Sequence, residues 1–405
     1  TVPSTLPLSP HYRWTIVALT LVNQAVSVGI IIYCFALFVV PWLEAFAISR
    51  GQMMLAIFCL QATVGLVSPL LGRLFDQYSI RNLVITGALS ISLGLFGLSQ
   101  AKYFWQVVII YASFLPVGLV LCGTLASQTL VSKWFTSNRS LAIGISASGT
   151  SIGGFIFPLL TVELIIAFEW QTSLLVLSVI SLMILVPLNL FALKASPPAR
   201  EAPGGKVHDL DLKAWTSRQI LGTRMFWIPV VGLIPINAAF GGVQFNLGAY
   251  VSDLGFDQQA AAQLIAITAL TMIFGKFMFG GLGDRVDHRK LYWLMVLLLA
   301  GSLVLYQGSP GWTELVMAAS LQGLATGGVM PMMGIIYSSR FGTFSFGRVL
   351  GFVNMFLMIG SFGSIFSGWI FDIFQSYDYA FRLFLVLLVP CAVAMFWLPE
   401  REEGR

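Results

Sequence analysis

Twelve apolar runs, each about as long as a helix needs to be to cross a lipid bilayer, set the terms for everything else in this 405-residue chain. They fall roughly at 14–40, 51–71, 82–100, 104–131, 140–162, 172–193, 225–251, 260–281, 291–307, 313–338, 349–372 and 382–398. The hydrocarbon core offers no water to unpaired backbone groups, so only helices and closed barrels span it. A barrel would show strands of about ten residues with alternating polarity, and these runs do not alternate. Composition agrees: 57% of the residues are hydrophobic and 10% charged, against about 25% charged in soluble domains. That leaves too little polar surface to cover a water-soluble globule. The expected fold is an all-α polytopic membrane protein with twelve transmembrane helices embedded in the lipid bilayer.

The longest polar segment, 194–224, holds Pro197-Pro198, Gly204-Gly205 and most of the clustered charge, so it reads as a linker. It separates a six-span half at 1–193 from a second at 225–405. With twelve spans, 18 of the 22 Lys and Arg residues fall on one side, which we call the basic face. Arg50, Lys102 and Arg382 fall on the opposite face, and Lys276 is left inside a span. The positive-inside rule makes the basic face cytoplasmic. Both termini and the linker are then cytoplasmic, in an inner or plasma membrane. This placement also accounts for the pI near 9.1 without a nucleic-acid partner. The chain starts at Thr1, so longer native termini are an expectation too. Cys34, Cys59, Cys122 and Cys391 all lie in apolar runs, as small buried residues do, and their spacing supports neither a metal site nor a disulfide framework.

A ten-residue turn recurs. Gly72-Arg73-Leu74-Phe75-Asp76-Gln77-Tyr78-Ser79-Ile80-Arg81 follows the second run, and Gly280 to Arg289 follows the eighth. Gly72 matches Gly280, Asp76 matches Asp284, and Arg81 matches Arg289. Two six-helix bundles related by an axis along the membrane normal give this parallel repeat. The glycine lets helices approach closely. The aspartate can cap a helix and pair with a nearby arginine.

These paired turns resemble the loop signature of the major facilitator superfamily, and the resemblance runs the whole chain. A narrower one lies at Trp134-Phe135, Arg139 and Leu141-Ala142-Ile143-Gly144 through Gly149. It is similar to the fifth-helix motif of the monocarboxylate transporters and their bacterial oxalate/formate-antiporter relatives. Leu221-Gly222-Thr223-Arg224-Met225-Phe226-Trp227 also resembles the bacterial branch. The start of the first helix, His11-Tyr12-Arg13-Trp14, departs from the animal branch and shares only the tryptophan. The resemblance implies alternating access by two rocking bundles, with Gly72, Asp76, Arg81, Gly280, Asp284, Arg289 and Arg139 in gating or loop roles.

Lys276 is the residue that bears most on chemistry. It sits eight residues before Asp284, about 12 Å up the helix. A cation at mid-helix costs about 2.5–3.5 kcal/mol on insertion scales. Two readings stand: it snorkels to the basic face or pairs with a structural carboxylate, or it faces a cavity and meets an anion. The resemblance implies the second. In the monocarboxylate and oxalate transporters an arginine in the eighth helix, shortly before the loop motif, binds the substrate carboxylate, and Lys276 occupies that position. Met272 stands where animal relatives carry an aspartate one turn away. The region around Asn354-Met355-Phe356-Leu357-Met358 lacks the second cation of the oxalate transporter. One cation suggests a monoanion.

Tyr33 matches a substrate-facing tyrosine of the bacterial relatives, with plain packing as the other reading. Asn23, Gln24, Gln128, Asn237, Gln244, Asn246 and Asn354 lie inside runs and need partners there. Interhelical hydrogen bonds are the default. Asn237, Asn246 and Asn354 are the better candidates for substrate contact, because cavity-lining helices of the resembled superfamily carry them. Glu163, Glu44 and Asp372 sit near span ends. No nucleotide loop, metal cluster or catalytic triad is legible, so the expectation is a monomeric transporter rather than an enzyme. It would use no cofactor and carry a small organic anion, with protons as the coupling ion by resemblance. Anion exchange, uniport, and export of other small molecules remain alternatives.

Overall fold

A computed structural model describes residues 10–135, 139–193, 215–283, 285–342 and 345–399. Among these residues the chain is helix and turn, with no strand. Twelve helices are long and apolar enough to span a membrane. In chain order, α1 to α12 are Tyr12–Phe46, Arg50–Ser68, Ile80–Ser99, Phe104–Trp134, Leu141–Ala167, Trp170–Ala192, Arg224–Gln244, Gln258–Leu282, His288–Leu305, Trp312–Phe341, Arg348–Phe374 and Asp378–Trp397. The ends follow from local chemistry. Ser49 and Gln52 form a reciprocal capping box that starts α2. Asp257 caps α8 by accepting the Ala260 N–H at 2.8 Å. Asp287 does the same for α9 through Arg289 N. Burial works against the charge on Asp287, but hydrogen bonds from the Arg289 side chain and backbone outweigh it and hold the carboxyl below its ordinary value.

The first, fourth, seventh and tenth spans are all interrupted. In α1, Cys34 N bonds Gly29 O at 3.2 Å, a widened turn that ends at Tyr33. In α7 the helix stops at Gln244, and Leu247–Asp253 resumes beyond Phe245 and Asn246. Ser113 and Gly123 divide α4, and Gly328 divides α10. A break inside a membrane is tolerated where protein covers it, and paired breaks in two halves mark the centre of transporter folds.

Two apolar cores form. One draws mainly on residues between Ile16 and Leu193, the other on residues between Ile220 and Leu398. A few side chains cross over: Tyr33, Ala36, Leu37 and Val162 join the second, and Phe245, Ala249 and Ile365 join the first. Small residues let helices touch. A Cβ on Gly153 of α5 would run into Ala25 O of α1, and one on Gly363 of α11 into Ala238 O of α7. Large apolar side chains such as Phe191, Leu297, Ile373 and Trp397 face outward, where acyl chains would cover them.

The recurring turn is described only in part. Gly72 and Asp76 lie on the last turns of the helix Arg50–Gln77, while the side chains of Asp76 and Arg139 and all of Asp284 lie outside the described residues. Arg81 donates to Leu190 O at 2.7 Å. Arg289 pairs with Asp287 at 3.0 Å. The close approach expected at Gly280 is displaced: a Cβ there would find only Pro331, at 3.9 Å, whereas one on Gly283 would strike Ile335. The helix leans on α10 one turn later, at the residue that ends it.

Candidate functional site

The site is built where α8 of the second half meets α5 of the first. On α8, Ala269, Met272 and Lys276 recur at helical spacing and so share a face. On α5, Ala147, Thr150, Ser151 and Gly154 do the same. These faces oppose each other. The Lys276 ammonium donates to Thr150 Oγ1 at 2.7 Å, to Ser151 Oγ at 2.9 Å and to Ala147 O at 2.9 Å. A lysine ammonium has three donors, and all three are used. Its partners are neutral oxygens. Lys276 therefore does not snorkel to the basic face, and it pairs with no carboxylate among the described residues. Each hydrogen bond from an ion contributes about 1.5–3 kcal/mol. Three of them exceed the insertion cost of about 2.5–3.5 kcal/mol, so the cation can persist there without an anion.

One turn further from the basic face, Tyr33 closes the seam. It is buried at the end of the widened turn in α1. Its hydroxyl donates to Met272 Sδ at 3.1 Å. Its ring lies where a Cβ on Gly154 would be, at 2.9 Å. Tyr33 and Lys276 thus occupy successive layers of one α5–α8 seam. Widened helical turns recur at functional positions.

The asparagines go elsewhere. Asn237 is half-buried and donates to Leu357 O at 3.3 Å, beside the tight turn in α11. Asn246 is buried at the α7 break, donates to Gly242 O and Ser364 O, and accepts from the Tyr377 hydroxyl. Asn354 is exposed on α11. Interhelical bonds do serve Asn23, which pairs with Asn189 at 2.9 Å, and the Gln24 amide nitrogen, which donates to Ser146 at 2.8 Å, while the Gln24 side-chain oxygen has no partner among the described residues. Gln244 is buried with no hydrogen-bond partner among the described residues. His288 opens α9 and is buried against Arg340.

On the face opposite the basic one, the halves are tied by a cluster that the sequence did not single out. Arg50, at the start of α2, makes a bidentate pair with Asp253, with Nη2 to Oδ1 at 2.6 Å. It also donates to the Tyr377 hydroxyl at 2.9 Å, and its guanidinium stacks 3.6 Å over the Phe371 ring. Asp372 accepts the backbone N–H groups of Arg50 and Gly51 at 3.0 and 2.9 Å. Midway along, Ser361 of α11 bonds Gln61 of α2 at 3.0 Å. In the sequence, Arg50 and Asp372 stood only as separate charges near the outer ends of spans. Among the described residues no group of His, Cys, Asp and Glu could hold a metal ion.

Twelve spans, paired helix breaks and a polar seam between two cores define a polytopic membrane protein of the transporter class. The chain belongs to the major facilitator superfamily, whose sequence profile matches residues 21–313 and 251–405. It is 26% identical over 408 residues to monocarboxylate transporter 13 of Bos taurus, covering 97% of this chain and 91% of that protein. It is 22% identical over 382 residues to the MFS-type transporter YcxA of Bacillus subtilis (strain 168), covering 91% of each. A bacterial homologue of the human lysosomal transporter Spinster, solved inward-facing and unoccupied, superposes with a TM-score of 0.74 at 14% identity, over 96% of this chain and 97% of that one.

Proposed function

We propose that this protein is a secondary transporter that moves a small monocarboxylate across a cell membrane by alternating access, coupled to protons. One observation carries this reading: a lysine deep in α8, at the seam of the two halves, held among the described residues by three neutral oxygens. An ionisable residue inside a span is a functional-site candidate by default, and a cation with no carboxylate partner among the described residues is open to an anionic one. One cation matches one carboxylate. Tyr33 closes the site on the side away from the cytoplasm. Asn237, Asn246 and Asn354 serve as supporting contacts on α7 and α11, and the paired loop residues serve the cytoplasmic gate. The likeness to monocarboxylate transporter 13 supports the substrate class.

The halves 1–193 and 225–405 act as the two rocking bodies of a monomer, joined by the cytoplasmic linker 194–224. The Arg50 cluster closes the outer face, which supports an inward-facing arrangement. The test is uptake of labelled C2–C4 monocarboxylates into proteoliposomes, with and without an inward proton gradient. Uptake that the gradient accelerates is the expected result. Uptake indifferent to the gradient removes proton coupling and leaves exchange or uniport. Absence of uptake for the whole panel removes the substrate class.

A further inference from the structure

The Lys276 ammonium is already saturated, and this bears on how any anion reaches it. Thr150, Ser151 and the Ala147 carbonyl take all three protons at 2.7 to 2.9 Å. An incoming carboxylate finds no free donor on this nitrogen. It must displace at least one of the three oxygens. The acceptors are spaced as single atoms along one face of α5, which suits an ammonium better than the planar fork of an arginine. The α5 wall therefore fits a lysine better than an arginine at this position.

We propose that Thr150 and Ser151 form an internal competitor site. They hold Lys276 when no substrate is bound and yield it to the substrate carboxylate, so that anion binding releases a tie between the two halves. This inference rests on the assignment of Lys276 as the substrate cation and deepens it. The tie runs from α8 in the second half to α5 in the first. The hydroxyl of Thr150 has a second role that keeps it in place: it donates to Ala147 O at 2.9 Å, so both acceptors are oriented together. Ser151 is fully buried, so its hydroxyl is held against α8. The competition sets affinity: stronger clamping in the empty state weakens binding, and a clamp that is lost strengthens it.

Two measurements decide the matter, on the full chain in detergent. The first needs no ligand. The rate at which N-hydroxysuccinimide acetate modifies Lys276 is followed by mass spectrometry, with Lys290, exposed on the basic face, as the internal reference. In the double variant Thr150→Ala/Ser151→Ala the rate at Lys276 rises several-fold relative to Lys290. In Thr150→Ser, which keeps the hydroxyl, it stays at the parent value. Equal rates in parent and double variant overturn the clamp.

The second measurement is equilibrium binding of labelled pyruvate, L-lactate and acetate. The double variant binds the acid that the parent binds, with a several-fold lower dissociation constant. An unchanged or raised constant overturns the competition. Lys276→Gln separates the two layers of the argument. If it binds these acids like the parent, or if the parent binds none of them, the substrate assignment fails, while the modification rates still decide whether the clamp exists. A double variant that does not fold is replaced by Thr150→Val/Ser151→Ala, with the same readings.

Discussion

An ammonium on a flexible stem and a planar guanidinium ask different things of the wall they face. Thr150 Oγ1, Ser151 Oγ and Ala147 O converge on Lys276 Nζ as three single acceptors, and an arginine fork prefers paired, coplanar ones. Lys276→Arg keeps the charge that attracts a carboxylate but fits the α5 wall poorly. We expect its initial uptake rate to fall within about tenfold of the parent, a loss of ~1.4 kcal/mol. A loss as deep as that of Lys276→Gln would mean that shape, not charge, governs the site. The lone cation was legible in the sequence because a charge inside an apolar run is costly. Its partners were not. Thr150 and Ser151 lie more than a hundred residues away along the chain, and a hydroxyl residue in an apolar helix carries no mark of which neighbour it serves.

Between elements, the same limits recur. The start of α2 and the outer ends of α7, α11 and α12 meet around Arg50. In the sequence, Arg50 was one of three basic residues on the outer face, Asp372 an acid near a span end, and Asp253 carried no mark at all. Only folding brings them together. If this cluster is the outer gate, Arg50→Glu places a third acid beside Asp253 and Asp372 and opens it. Phe245, which packs on Phe35 across the α1–α7 seam, offers a reporter once replaced by cysteine in a background lacking the four native cysteines. Arg50→Glu should speed its labelling by a membrane-impermeant thiol reagent several-fold. The charge swap Arg50→Asp/Asp253→Arg should return it to the slow rate. Labelling that ignores both changes would remove the gate assignment. The break in α1 was equally hidden, because Gly29–Tyr33 sits in an almost unbroken apolar run; the break in α7 falls at Gln244 and Asn246, whose polarity marked a need for partners but not a stop in the helix.

For the molecule as a whole, the bilayer does most of the specifying. It admits helical spans and little else, so twelve runs in the sequence became twelve spans in the structure, four of them broken where protein covers the break. Their ends moved by several residues, as at α1, which reaches Phe46 where the apolar pattern stopped near residue 40. Amphipathic ends such as Pro41 to Phe46 extend past the hydrocarbon layer without a compositional break. What the bilayer does not specify is the seam between the halves, and function is assigned there: Lys276 and Tyr33 on one layer pair, Arg50 on the outer rim. The account stands on Lys276 as the substrate cation. The most direct test is equilibrium binding of labelled pyruvate, L-lactate and acetate to purified parent and Lys276→Gln, with thermal unfolding to show that both are folded. The account predicts that a folded Lys276→Gln loses binding by at least about a hundredfold, or ~2.7 kcal/mol. Binding of these acids by Lys276→Gln at the parent's affinity would contradict it.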